Sequence, residues 1–212
     1  MNENPVLLDK VLGQLQTALE ANVSWLTHAY GKTQRIVKRI QGRDYYMPAI
    51  YTGDTEYLSM LPDARLGNFS FFDIPDAYRF PEYNRFAPNK FFTPFRLVVW
   101  FDERTIWGPG MSNREQLKMD VLAVLGQVTL SDGGLWVEKV YERHENIYRG
   151  YSLSEVDTQY LMVPYGGFAV EGELELSEEC VPAAATDQLY DNQGRALKDS
   201  EGRLLRVPQK II

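Results

Sequence analysis

The stretch Phe95-Arg96-Leu97-Val98-Val99-Trp100-Phe101 decides the fold. It is a continuous run of β-branched and aromatic residues, too short for a core helix, and it reads as a buried strand. Before it, residues 53–94 are irregular. Pro62, Pro75, Pro81, Pro88 and Pro94 punctuate them, and Tyr57, Phe69, Phe71, Phe72, Tyr78, Phe80, Tyr83, Phe86, Phe91 and Phe92 fill them. So many aromatics do not suit a disordered loop. The segment reads as an elaborated sheet insertion or an interaction surface, with a short strand at 68–72.

On the C-terminal side, Gly108-Pro109-Gly110 marks a loop. Ser112 with Glu115 has the spacing of a capping box, followed by a helix with Leu117, Val121, Val124 and Leu125 on one face that ends near Gly126. Asp132-Gly133-Gly134 predicts a turn, and strands follow at 135–143, 159–163 and 168–176. The last alternates: Val170, Gly172, Leu174 and Leu176 take one face, and Glu171, Glu173 and Glu175 the other, which predicts a wet face.

At the N-terminus, Pro5 suits a first helical turn. Leu8, Leu12, Leu15, Leu19, Val23 and Leu26 recur at helical spacing, so a helix is predicted from Pro5 to Ala29, with Gly31 as its stop. Lys32, Arg35, Lys38, Arg39 and Arg43 then interleave with Ile36, Val37 and Ile40 as a basic strand that turns near Gly42. Residues 44–52 are its antiparallel partner, and Pro48 within them predicts an edge position or a bulge. After Ala183-Ala184-Ala185, the pattern L-x-D-x-x-G-R-x-L occurs twice with a period of eight, placing Arg195 and Arg203 at matching positions. Each copy suits a tight turn. The expected fold is α+β: a mainly antiparallel sheet packed by a long N-terminal helix and a second central helix. It occupies residues 1–182, with the aromatic-rich insertion at 53–94, and an extended arm or hairpin covers 183–212.

Composition narrows the function. The chain has 212 residues, 44% hydrophobic and 24% charged, which is ordinary globular usage. Its net charge of −7 and pI near 5.0 argue against a duplex-binding domain. The one cysteine, Cys180, excludes a disulfide within the chain and a CxxC metal knuckle. The N-terminus lacks the basic start and apolar run of a signal peptide, and no apolar stretch approaches the roughly 20 residues that span a bilayer, so the protein is expected to work where it is made, away from membranes.

Chemistry is sparse. His28 is expected to end the first helix and His144 to lie in a charged turn. No GxxxxGK[ST], GxGxxG, GxSxG or HExxH pattern occurs. The pair Asp102-Glu103 and the row Glu171, Glu173, Glu175, continued by Glu178 and Glu179, are the only acid groupings with a catalytic or hard-cation reading, that of a metal-dependent hydrolase. Solvated or ion-paired acids are the commoner use of such patterns. A small sugar- or peptide-binding module that grips through its aromatic loops is a further alternative. No catalytic residue, cofactor or metal is expected.

The order of elements resembles the tail-terminator and tail-completion proteins of long-tailed bacteriophages. The carrying segments are residues 7–26, 95–101, 113–125 and 168–176. The resemblance implies a ring, usually of six subunits, that terminates the tail tube and joins it to the head-completion proteins while DNA passes without sequence-specific binding. It also implies a virion location after synthesis in the host cytoplasm, and no covalent chemistry. The candidate subunit contacts are the basic strand (Lys32, Arg35, Lys38, Arg39), the acidic strand (Glu171, Glu173, Glu175), the aromatics Phe71 and Phe72, and the arm residues Arg195 and Arg203. The basic and acidic strands either pair within one chain or meet head-to-tail between neighbours.

Overall fold

The computed structural model describes residues 7–177 apart from 54–55, 76, 80–89 and 132. Contacts divide the chain into Met1–Glu178 and Glu179–Ile212, and the described residues lie in the first. The arm, Arg195, Arg203, Cys180, Glu178 and Glu179 lie outside the described residues.

The quoted stretch sits inside β6 (Lys90–Asp102), in the middle of a five-stranded sheet ordered β1 (His28–Lys32), β5 (Phe69–Asp73), β6, β8 (Tyr165–Ser177), β7 (Gly133–Tyr141). Only β1 with β5 is parallel; the other pairings are antiparallel. Alternation splits the strand between two cores. Phe95, Leu97, Val99 and Phe101 face a core shared with α1 (Leu8–Asn22) and α3 (Arg114–Gln127). Val98 and Trp100 face a second core, formed with Phe69, Phe71, Ala169, Ile147 and Tyr148 and closed by Met47, Met60 and Leu61.

A second sheet is ordered β2 (Gln34–Ile40), β3 (Arg43–Gly53), β4 (Glu56–Ser59). The predicted basic hairpin is its first pair, with Lys38 opposite Tyr45 and Arg39 opposite Asp44. Lys32 belongs to β1 rather than to this strand. Pro48 lies in the central strand, not at an edge. Its carbonyl accepts from the amide of Met60, just past the end of β4. The ring nitrogen therefore faces a flank where no ladder bond is required.

Several other elements differ from expectation for local reasons. The first helix ends at Asn22, and His28 opens β1 instead of ending a helix. The amides of Thr27 and His28 both donate to the carbonyl of Asn68, which starts the extended pairing with β5. The short strand expected at 68–72 within the aromatic segment is Phe69–Asp73, a core strand with every residue buried. Asn113, not Ser112, caps α3: its side chain accepts from the amide of Gln116, and Glu115 bonds Lys118 instead of closing a capping box. Residues 158–161 form a 3-10 turn rather than a strand, started by the Asp157 side chain accepting from the amide of Gln159. Gly133 and Gly134 open β7 instead of forming a turn. A Cβ on Gly133 would lie 1.9 Å from the carbonyl oxygen of Glu175, and one on Gly172 would lie 1.9 Å from that of Trp136. These glycines let β7 and β8 approach closely.

Candidate functional site

The second-core face of β6 and β8 changes character along its length. Toward Trp100 it is aromatic. Toward Lys90 it becomes a row of ion pairs, because Arg96 stands directly opposite Glu171. The Arg96 guanidinium donates to Glu171 at 2.8 Å, to the carbonyl of Arg149 at 2.9 Å and to Asp73 at 3.3 Å. Arg149 donates to the same Glu171 at 2.6 Å, and the Tyr151 hydroxyl donates to Asp73 at 2.8 Å. Arg96 is 1% exposed, so the charges are shared out of water. Burial raises the Asp73 carboxyl above its ordinary range, against the opposing pulls of Tyr151 and Arg96. Burial likewise raises the Tyr151 phenol, which therefore stays protonated and remains a donor.

The row continues with Arg79 to Glu173 at 2.6 Å and Lys90 to Glu175 at 2.5 Å. The predicted wet acidic face is thus half-covered and neutralised strand by strand. Glu171, Glu173 and Glu175 meet Arg96, Arg149, Arg79 and Lys90, not the basic strand that begins at Lys32. Each carboxylate is paired with a cation of its own chain. Among the described residues no three His, Cys, Asp or Glu side chains gather as a ligand set.

Asp102 and Glu103 do not converge either. Asp102 caps α2 (Glu103–Trp107) by accepting from the amide of Arg104, and that arginine's hydrogen bonds hold its carboxyl below the usual range. Glu103 is 2% exposed and bound by Arg114 at 2.5 Å. Each acid has a structural partner. His28 lies beside the Tyr30 ring, and His144 opens α4 (His144–Ile147). Phe71 and Phe72 are both 0% exposed and cannot reach a neighbour, because β5 is an interior strand.

Among the described residues, open surfaces include strand edges and the basic hairpin. β7 is the last strand of its sheet, and among the described residues nothing pairs its outer flank. It exposes Trp136 at 49%, Val137 at 39% and Val140 at 37%. β2 is the outer strand of the second sheet, with Val37 56% exposed. Arg35 lies over the Tyr46 ring at 4.1 Å, and Arg39 pairs with Asp44 at 2.8 Å. Lys38 and Arg43 have no ion-pair partner among the described residues.

Sequence reasoning missed Arg96, hidden inside an apolar run. The signal in the sequence was a single arginine in a strand of hydrophobes, which calls for a polar partner when buried. It also missed the apolar β7 edge, since alternation along one strand does not say whether that strand is central or terminal. No protein-family model and no curated protein matches the chain. Among the described residues no helix is long and apolar enough to cross a membrane.

Proposed function

We propose that the chain is an assembly subunit of a bacteriophage neck or tail end, forming a ring that terminates the tail tube and joins it to the head-completion proteins. The observation that carries this reading is the open flank of β7, where Trp136, Val137 and Val140 are exposed on a nine-residue edge strand. An edge strand presents unpaired N–H and C=O groups, and natural monomers blunt it with charge, proline or covering segments. β7 carries the exposed charges Glu138 and Lys139 and a register shift between Val137 and Lys139, yet keeps three large apolar side chains in water on either side of them. A head-to-tail contact that closes on itself gives a ring. The acids with a catalytic reading are engaged in caps and ion pairs, which turns attention from pockets to surfaces. The virion location and synthesis in the host cytoplasm follow from the same resemblance.

The test is the mass of the protein by light scattering, alone and mixed with tail-tube and head-completion proteins, with an image of any particle formed. A closed ring that joins those components supports the reading. A protein that stays monomeric and ignores them overturns it.

A further inference from the structure

The β2–β3 hairpin contrasts with the rest of the chain. The net charge is −7, and the half-buried acids of β8 are neutralised by their own chain. The hairpin from Gln34 to Tyr46 instead carries Arg35, Lys38, Arg39 and Arg43 against the single carboxylate of Asp44, a net +3. All four cations are exposed, and the Asp44 carboxylate serves Arg39 alone. Beyond Tyr46, whose amide and carbonyl both bond Ser152, only Ile36, Ile40 and Tyr45 are half-covered. The end of the hairpin is therefore a basic two-stranded ribbon with Tyr45 and Tyr46 set among its cations.

We propose that this ribbon contacts duplex nucleic acid through the phosphate backbone, without reading sequence. The major groove is about 12 Å wide and admits a two-stranded β-ribbon. Arg35 and Arg39 are four residues apart on one strand, roughly 13 Å along it, which lets them meet separate phosphates. Lys38 projects from the opposite face of that strand, and Arg43 sits beyond the turn. Cations distributed around a ribbon suit a polyanion that surrounds it better than a flat acidic protein surface. The acidic strand that could have complemented it in a second copy is consumed by Arg96, Arg149, Arg79 and Lys90.

The experiment is fluorescence anisotropy of a short labelled duplex titrated with the full chain across a salt series. Four phosphate contacts predict a slope of log affinity on log salt near about −3.6, an affinity loss of about a hundredfold between about 50 and 200 mM salt. The triple variant Lys38→Gln, Arg39→Gln, Arg43→Gln leaves Arg35 in place. It should keep the circular dichroism spectrum, lose affinity by about tenfold or more, and reduce the slope to about −1. Arg143→Gln removes an exposed cation outside both β7 and the hairpin and should change nothing. No binding, binding that survives the triple variant, or equal loss in the control overturns the proposal. So does a triple variant that loses self-association in a protein that never bound DNA, which would make an acidic protein surface the partner. A ring that ignores DNA would refute this contact and leave the assembly role standing.

Discussion

Arg96 is held at 1% exposure between Glu171, Asp73 and the carbonyl of Arg149. Removing one member of a buried ion pair leaves an uncompensated charge, so the partners are not equivalent in what their loss does. Glu171 faces Arg96 across the ladder and is shared with Arg149, whereas Asp73 is the member whose ionised form burial opposes. Its folded carboxyl takes up a proton more readily than the unfolded one. The associated stability is fully present below the unfolded value of about 3.9 and is lost as pH rises through the raised folded value. Asp73→Asn should therefore match the wild type in acid and gain on it progressively as pH rises above about 4. Urea denaturation of both proteins across pH checks this. A difference that runs the other way would mean that the Arg96 pairing, not burial, governs Asp73.

At the scale of elements, the cap of α3 separates two residues that look alike in sequence. Asn113→Ala should cost about 1 kcal/mol, because its side chain is the N-cap that accepts from the amide of Gln116. Ser112→Ala should cost only a few tenths, within the range of surface substitutions. Chemical denaturation of the two variants decides between the caps. Much of the fold was legible in the same way. The buried strand at 95–101, the basic hairpin, the alternating strand at 168–176 and two helices all follow from period and turn residues. What stayed hidden depended on contacts distant in sequence. That His28 opens β1 rather than ending a helix depends on Asn68, whose carbonyl accepts from the amides of Thr27 and His28. The place of Phe69–Asp73 at the heart of the sheet depends on pairing with β1 on one side and β6 on the other. Gly133 and Gly134 looked like a turn because a glycine pair signals one locally, whereas Gly133 serves close approach to β8 and Gly134 lies against the Trp136 ring. The candidate site was least legible of all. Glu171, Glu173 and Glu175 stood out as a row, but the cations that occupy them come from four places, at positions 79, 90, 96 and 149.

Across the described body, two sheets share one aromatic core, and each ends in a strand with an open flank. Polar chemistry is spent internally: Asp102 and Glu103 serve Arg104 and Arg114, and the β8 acids serve β6 and its surroundings. Among the side chains that face outward are the apolar residues of β7 and the cations of the hairpin. The proposed ring requires β7 to join one copy to the next. The most direct test is the light-scattering mass of the wild type and of Val140→Lys over a range of concentrations. Lysine on an edge strand discourages edge-to-edge pairing. A ring built on β7 gives a wild-type mass that is a fixed multiple of 24.4 kDa and a variant that falls to 24.4 kDa with its circular dichroism unchanged. A wild type at 24.4 kDa throughout, or a variant that assembles as well as the wild type, would contradict it.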